Sequence, residues 1–347
     1  MKSYYRFLSV AALGLLCTLA VPNCRAEGAY KLLKEIPVGG EGGWDYLSVE
    51  QEGRRLYVSH ATKVVVIDLD KDTVVGEIAD TPGVHGIATA PKLGLGFTSN
   101  GRENKVSIFD LKTLKTNSKV ETGENPDAIL YEGGHEEVYA FNGRGNSATV
   151  FEAKTGKVVT TIPLPGKPEY AMASPRANRV FNNLEDKNEV AVIDSKEHKV
   201  LTTWPTAPGE EPSGMAFDSQ HRRLFVGCGN KTLVMMNSAN GKVVASVPIG
   251  QGVDATKFDS ETQLVFCSCG DGTVTIAHED SPDTLTVVQT LKTEPRAKTM
   301  ALDPKTHKIY VASAKFGAAS EQPSGGKKGR PSVVPDTFKV LVYGPEK

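Results

Sequence analysis

Short apolar or alternating runs, separated by turn residues, fill almost the whole chain after residue 29. In the stretch 211–250, for example, the runs GMAFD, RRLFVG, TLVMMN and KVVASVPI are separated by segments rich in Gly, Asn, Ser and Asp. Such runs, bounded by turn formers, are typical of antiparallel strands joined by tight turns. The pattern predicts an all-β fold, in which a four-stranded unit of this size needs neighbouring copies of itself to bury its faces.

The unit is repeated seven times. An aromatic residue in the second strand of each unit marks the period, and the gaps between these residues are 40, 42, 42, 44, 41 and 44. The marker aromatics are Tyr57, Phe97, Tyr139, Phe181, Phe225, Phe266 and Tyr310. A period near 40 with four strands per repeat is the signature of a β-propeller. We therefore predict a seven-bladed β-propeller with four antiparallel strands per blade.

The two ends of the repeat array predict how the ring closes. The last repeat stops after its third strand, and the first strand of the chain, 30–39, has no repeat before it. This strand (YKLLKEIPVG) aligns without a gap on the fourth strand of the fifth repeat, 241–250 (GKVVASVPIG). Pairing 30–39 beside 338–343 would complete the seventh blade and leave no open sheet edge.

The N-terminus has the pattern of an export signal. Lys2 and Arg6 precede an apolar run at 7–21, and residues 24–26 (CRA) fit a small-x-small cleavage site. The run is short for a transmembrane helix. We predict a signal peptide at 1–26 that is removed, a single propeller domain at 27–347, no transmembrane segment after cleavage, and a periplasmic or secreted protein. An uncleaved anchor is the alternative.

One loop of the predicted propeller is much longer than the others. It covers 314–337 and is rich in Gly, Ser and Pro. Long loops of this composition serve as lids or are disordered excursions, and both alternatives stay open.

Charge and missing motifs exclude several function classes. The formal net charge is −1, so bulk electrostatics predict no nucleic-acid partner. The chain has no Gly-rich phosphate loop, HExxH, GxSxG or CxxCH motif, and it lacks the repeated tryptophan of quinoprotein blades. We therefore expect no nucleotide, haem or quinone, and a divalent metal is the remaining candidate cofactor.

Three cysteines remain after signal cleavage: Cys228, Cys267 and Cys269. Cys228 and Cys269 occupy equivalent positions in adjacent repeats. A disulfide between them and a set of free buried thiols are both open, because adjacent blades diverge and a disulfide needs closely spaced Cα atoms.

Polar side chains recur at the start of the first strand of each repeat. In an antiparallel blade the first strand begins where the second ends, so both sets of positions lie on one side of the ring, which we call the funnel face. The first set lies twelve residues before each marker aromatic: Asp45, His85, Asp127, Glu169, Ser213, Asp254 and Lys298. The second set lies three residues after it: His60, Asn100, Asn142, Leu184, Cys228, Cys269 and Ser313. Trp44, Tyr46 and Tyr170 flank the first set.

Converging carboxylates and imidazoles suit a divalent metal or a cationic ligand. The candidate metal ligands are Asp45, His85, Asp127, Glu169 and Asp254. The candidate ligand-binding residues of the funnel face are Trp44, Asp45, His60, His85, Arg102, Asp127, Arg144, Glu169, Tyr170, Asp254 and Lys298. Arg102 and Arg144 belong to two Asn-Gly-Arg loops that would clamp an anion, although Asn-Gly is also an ordinary turn former. The polar residues of the first set would alternatively only solvate a wet channel.

The repeats resemble those of the YVTN-repeat, YncE-like β-propellers, a family of exported bacterial proteins. The resemblance is carried by 56–59 (LYVS), 309–312 (IYVA), 104–110 (NKVSIFD), 189–194 (EVAVID) and 241–250, and it covers the mature chain. It implies the propeller fold and no particular activity. The chain departs from the family pattern in the 314–337 insertion and in the sixth repeat, where His278-Glu279 replaces the usual Ile-Asp ending of the third strand.

Two classes of function remain. The first is an exported binding or scaffold protein that takes a small molecule, a peptide or an envelope partner on the funnel face. The alternative is a metal-assisted lactone hydrolase or lyase, as in propellers resembling gluconolactonases and streptogramin lyases, in which Asp45, His85, Asp127, Glu169 and Asp254 would supply metal ligands or a general base. The sequence assigns no catalytic residue.

Overall fold

The chain forms a ring of seven four-stranded antiparallel sheets, which confirms the predicted propeller. This computed structural model describes Met1, residues 29–317 and residues 331–346. The predicted signal peptide and most of the 314–337 insertion lie outside these residues, so both stay predictions. Within the described part of the chain, no helix is long and apolar enough to cross a membrane.

Each blade uses consecutive strands from the ring axis outwards, except the seventh. Blade 1 contains β2 (Trp44–Glu50), β3 (Arg55–His60), β4 (Lys63–Asp68) and β5 (Thr73–Ile78). Blade 2 contains β6 (Val84–Ala90), β7 (Leu95–Asn100), β8 (Lys105–Asp110) and β9 (Thr116–Glu121). Blade 3 contains β10 (Pro126–Glu132), β11 (Glu137–Asn142), β12 (Ser147–Glu152) and β13 (Val158–Pro163). Blade 4 contains β14 (Pro168–Ser174), β15 (Arg179–Leu184), β16 (Glu189–Asp194) and β17 (Lys199–Pro205).

The remaining blades follow the same order. Blade 5 contains β18 (Pro212–Asp218), β19 (Arg223–Cys228), β20 (Thr232–Asn237) and β21 (Val243–Pro248). Blade 6 contains β22 (Val253–Asp259), β23 (Leu264–Cys269), β24 (Thr273–Ser281) and β25 (Thr284–Lys292). Blade 7 contains β26 (Met300–Asp303), β27 (Lys308–Ser313), β28 (Lys339–Pro345) and β1 (Tyr30–Pro37).

The N-terminal strand β1 closes the ring as the outermost strand of blade 7. It pairs antiparallel with β28 from Tyr30 opposite Pro345 to Pro37 opposite Lys339. The Tyr30 hydroxyl also donates to the carbonyl of His307 at 2.6 Å, and the Gln289 side chain bonds both backbone groups of Tyr30. The predicted pairing of the orphan strand is therefore confirmed.

The core lies between the blades. All seven marker aromatics are at most 1% exposed, and each packs with aliphatic residues of its own and adjacent blades. Their regular spacing thus reports one buried position repeated around the ring. By contrast, the outermost strands leave apolar side chains such as Leu32, Val74 and Val288 about half exposed.

The first strands of blades 1 to 6 have an irregular register near their beginning. In blade 1 the pairing shifts between Trp44 and Leu47, and the other five first strands shift at the equivalent place. Such irregularities free backbone groups from the ladder and turn side chains to new directions. Buried polar side chains of the second strands satisfy the freed groups: Ser59 Oγ accepts the N–H of Asp45 at 2.8 Å, and Asn182 Nδ2 donates to the carbonyl of Glu169 at 3.0 Å. These hydrogen bonds fix the backbone of Asp45 and Glu169, whose side chains belong to the funnel face.

The opposite side of the ring, formed by the turns between first and second strands and between third and fourth strands, is called the turn face here. In blades 1, 3, 5, 6 and 7 the first strand ends in an acidic residue that accepts backbone N–H groups of the turn after it. Asp218, for example, accepts the backbone N–H groups of Gln220 at 2.8 Å and His221 at 3.0 Å. Asp303, whose side chain is fully buried, accepts the N–H of Lys305 at 3.3 Å and also binds the Arg54 guanidinium with two bonds of 2.7 Å, so it links blade 7 to blade 1.

The three described cysteines are free and buried. Of the two alternatives left open by the sequence, the structure therefore has the free thiols. Burial raises the pKa of Cys228 and of Cys267 to about 12, so both are protonated, unreactive thiols at neutral pH.

Candidate functional site

Three side chains from adjacent blades converge at the funnel face. His85 Nδ1 lies 2.7 Å from Asp45 Oδ2 and 3.8 Å from Asp127 Oδ1. Ligand atoms of the three residues all lie within 4.8 Å of one another. Their side chains are 30%, 27% and 19% exposed in the order Asp45, His85, Asp127, so the cluster is reachable from the funnel. We call these residues the acidic triad.

Glu169 in blade 4 continues the triad. Burial, followed by the charge of Asp127, raises the pKa of Glu169 to about 8, although Lys167 opposes the shift. Burial and the charge of Asp45 likewise raise the pKa of Asp127 to about 6, although His85 and Lys167 oppose it. One Glu169 oxygen is buried without a hydrogen-bond partner among the described residues. The site therefore contains more buried negative charge than its own cations neutralise.

His85 carries a proton more readily than an isolated histidine. Burial alone would lower its pKa, but the hydrogen bond to Asp45 and the charges of Asp127, Asp45 and Glu169 outweigh burial and raise it. A protonated His85 would act as the internal counter-cation of the cluster.

The fifth candidate metal ligand, Asp254, is already paired. Its Oδ1 accepts a bond of 2.7 Å from the Lys298 ammonium, and Lys298 is half exposed. The structure thus brings three of the five candidate metal ligands into one cluster. Glu169 interacts with this cluster through its charge, and Asp254 forms an ion pair with Lys298.

A channel cavity of about 350 Å³ runs below the triad along the first strands, and Tyr46, Tyr170 and Lys257 line it. The rings of Tyr46 and Tyr170 stack at 5.7 Å, and Lys257 Nζ donates to the Tyr170 hydroxyl at 2.6 Å while lying 4.5 Å from the centre of that ring. Burial and the nearby carboxylates raise the pKa of Tyr46 well above its usual value. Tyr170 was a candidate from the sequence pattern, whereas Lys257, three residues after Asp254 on the same strand, was not.

An aromatic pocket adjoins the triad at Trp44. It has a volume of about 480 Å³ and is lined by residues that include Trp44, Arg296, Lys298 and Phe316. Phe316 lies 5.9 Å from the Trp44 ring, and the Arg296 guanidinium lies 4.7 Å from the centre of Phe316. Lys298 belongs to this pocket and to the Asp254 pair, so the pocket and the acidic residues form one continuous surface.

Three other candidate residues do not contribute to this surface: His60 is buried, and Arg102 and Arg144 make no contact among the described residues that would hold an anion between them. His60 is 1% exposed and its ring packs against that of Phe338, with 4.5 Å between the ring centres, so it is part of the packing beneath Trp44 and does not face the funnel. Arg102 and Arg144 are exposed on their loops, which are turns as the Asn-Gly sequence also allowed. Burial of His60 follows from the apolar residues that close the ring beside it, which the repeat pattern does not reveal.

The arrangement can do two kinds of chemistry. Two carboxylates and an imidazole within bonding reach of a common point suit a divalent cation. The same carboxylates, backed by Glu169 and next to an aromatic wall, suit an organic cation held by charge and by contact with rings.

Comparison with known proteins shows the fold and no more. No family model matches the chain, and no curated protein is similar to it in sequence. Among solved structures the chain is similar to a Kuenenia stuttgartiensis hydrazine synthase chain, with a TM-score of 0.70 and 16% sequence identity over 78% of this chain and 92% of that chain. At this identity the likeness extends to the β-propeller and not to the residues of the funnel face. The chain is thus a seven-bladed β-propeller, a fold consistent with a binding or scaffold role.

Proposed function

We propose that this protein is an exported binding protein, periplasmic or secreted, whose funnel face takes a small molecule or peptide with a positively charged group beside an apolar part. The observation that carries the proposal is the convergence of Asp45, His85 and Asp127 on one point, with Glu169 behind them. Export rests on the N-terminal sequence pattern, and the YncE-like resemblance of the repeats agrees with it.

The excess of buried acid specifies the charge of the ligand. Burial disfavours the ionised forms of Asp127 and Glu169, and the neighbouring carboxylates add to this effect, which is why their pKa values rise to about 6 and about 8. A cation bound among them would favour their ionised forms and lower both pKa values. Binding would then release protons, so affinity should rise as the pH increases from 6 to 8.

The aromatic pocket specifies the rest of the ligand. Trp44, the chain neighbour of Asp45, and Phe316 provide an apolar wall, and Arg296 already uses the face of Phe316 for its own cation. A ligand whose ammonium group enters the triad would place an adjoining apolar or aromatic part against Trp44.

Calorimetric titration with 2-phenylethylamine tests this proposal, and phenylacetate, which has the opposite charge on a similar skeleton, is the matched control ligand. We expect binding of the amine only, with at least tenfold weaker binding by Asp45→Asn and unchanged binding by Glu41→Gln, an exposed carboxylate of the preceding loop. Equal binding of the anion, or full binding by Asp45→Asn, would refute a cation site.

The second candidate is a metal-assisted lactone hydrolase or lyase, and the specific observation that favours it is again the triad. Asp45, His85 and Asp127 would hold a divalent metal, which would polarise a carbonyl or activate water, while Glu169 would hold or accept a proton beside it. Elemental analysis of the purified protein and a lactone-hydrolysis assay test this candidate. Stoichiometric metal that is lost in His85→Ala, together with activity that falls in the same variant, would favour it over simple binding.

A further inference from the structure

A second cluster of ionisable side chains lies on the turn face, at the boundary between blades 5 and 6. His221 Nδ1 lies 2.8 Å from Asp218 Oδ2 and 3.4 Å from Glu279 Oε1. Ligand atoms of the three residues lie within 4.8 Å of one another. Asp218 ends β18, His221 lies in the turn after it, and Glu279 comes from β24 of the next blade.

Glu279 occupies a position where blades 1 to 5 have apolar or small residues, all of them buried or half-buried. The register of β24 pairs His278 with Leu264, so His278 takes the place of the usual Asp and Glu279 takes the place of the residue that follows it. In each case the backbone N–H of this residue donates to the carbonyl of the turn before the second strand. The equivalent residues in blades 1 to 5 are Leu69, Leu111, Ala153, Ser195 and Ser238.

The buried carboxylate of Glu279 lacks a hydrogen-bond partner. Its side chain is 0% exposed, and neither carboxylate oxygen accepts a hydrogen bond from the residues that the structure describes. The nearest guanidinium, that of Arg223, is engaged by the carbonyls of Pro282 and His221 and by Asp283. A buried carboxylate without a donor is unfavourable in its ionised form unless a positive charge lies beside it. Such a group indicates that a cation completes the site.

We propose that Asp218, His221 and Glu279 bind a divalent transition-metal ion, with Zn²⁺ as the best match. Zn²⁺ lies about 2.0–2.2 Å from nitrogen and carboxylate oxygen ligands, so two ligand atoms of one ion lie at most roughly 4.4 Å apart. Both His221 separations are within this limit. One imidazole with two carboxylates favours Zn²⁺ over Ca²⁺, because Ca²⁺ binds oxygen ligands only and takes about six to eight of them.

The surroundings hold two of the three ligands in place. Asp218 accepts two backbone N–H groups of its own turn, and the carbonyl of His221 accepts a bond of 2.9 Å from Arg223 Nη1. Contacts of this kind orient metal ligands before the ion arrives. The ion would tie the turn of blade 5 to the third strand of blade 6.

Blade 3 provides a matched control. Glu132 ends its first strand, and His135 Nδ1 lies 2.7 Å from Glu132 Oε2, so the acid and the histidine are spaced as in blade 5. The position in blade 4 that corresponds to Glu279 is Ser195. The pair Glu132 and His135 thus has two of the three ligand types and lacks the third.

The test measures zinc binding and thermal unfolding of the full chain after treatment with EDTA. All variants carry His85→Ala, which removes one member of the acidic triad, so the outcome is separate from that of the proposed function. We expect one Zn²⁺ per chain and a rise in Tm of about 4 °C at a zinc concentration a hundred times the Kd. Glu279→Gln and His221→Ala should abolish the rise, and His135→Ala should keep it.

A further variant gives the opposite sign without metal. Glu279→Leu restores the residue type of blades 1 and 2, so we expect the metal-free variant to melt above its metal-free parent while showing no response to zinc. The proposal is overturned if zinc does not raise the Tm of the parent, or if Glu279→Gln responds to zinc as the parent does. An equal response to CaCl₂ would overturn the assignment to a transition metal. Should His221→Ala fail to fold, the two Glu279 variants decide the result.

Discussion

Glu169→Gln should make the protein less sensitive to alkaline pH, because Glu169 is the most perturbed carboxyl group of the funnel face. Its pKa of about 8 in the folded protein compares with an ordinary value of 4.5. Asp127, with a pKa of about 6, ionises first, and Glu169 then loses its proton beside that charge. The folded chain therefore holds this proton more tightly than the unfolded chain, so the stability it contributes is present below pH 4.5 and is lost as the pH rises to about 8.

The size of the effect follows from the shift. Each unit of pKa difference is worth about 1.4 kcal/mol, so the full difference corresponds to a loss on the order of 5 kcal/mol between pH 4.5 and pH 8. Glutamine keeps the shape of the side chain and cannot ionise. The variant should match the wild type at pH 5 and exceed it by a few kcal/mol at pH 9.

Urea unfolding at pH 5, 7 and 9 measures this difference, with Glu41→Gln as the control because Glu41 is exposed near the same face. The quantity of interest is the difference in unfolding free energy between Glu169→Gln and the wild type at each pH. A difference that stays constant from pH 5 to pH 9 would show that Glu169 ionises normally, and the electrostatic argument for a cationic ligand would fail with it.

Three further predictions concern the ring and the funnel. Ile36→Ala on the closing strand should lower the free energy of unfolding by about 2–5 kcal/mol in chemical denaturation, because Ile36 is 2% exposed. Leu33→Ala on the exposed side of the same strand is the control and should change it by less than about 0.5 kcal/mol. Arg54→Met should cost about 3–5 kcal/mol by the same measurement, since it leaves the buried carboxylate of Asp303 without its bidentate partner. Lys298→Met removes a built-in cation from the funnel face and should strengthen calorimetric binding of 2-phenylethylamine about three- to tenfold; weaker binding would contradict the proposed ligand charge.

The fold could be predicted from the sequence because each of its determinants is local or periodic. The marker aromatics recur at one buried position per blade, and strand 30–39 aligns with a fourth strand, so the blade number and the closure follow from spacing alone. The side of the ring on which Asp45, His85 and Asp127 meet follows from strand direction in the same way.

The pairings within the site depend on geometry that spacing does not encode. His60 has a polar side chain at a funnel position, but the packing of Phe338 against its ring makes it part of the core. The association of Arg296 with Phe316 brings together a loop and the start of the insertion, and Lys257 reaches Tyr170 across the channel. A residue count along one blade contains no information about contacts across the ring.

Glu279 shows what a single departure from the repeat can indicate. The sequence pattern identified His278-Glu279 as unusual, yet placed both residues one position away from where the strand register puts them. Only that register shows that the acid, and not the histidine, enters the space filled by Leu69 in blade 1.

The closing pair of β1 and β28 makes integrity of the whole chain a condition for a finished molecule. The pairing partner of Tyr30 is Pro345, which lies more than 300 positions later in the chain. In a chain that is cleaved or incomplete before β28, β1 has no strand to pair with. The last sheet then has an unpaired edge as well. Unpaired strands and edges of this kind are prone to local unfolding and aggregation. The pairing of β1 with β28 therefore depends on synthesis through residue 345, because no earlier part of the chain provides this partner for β1.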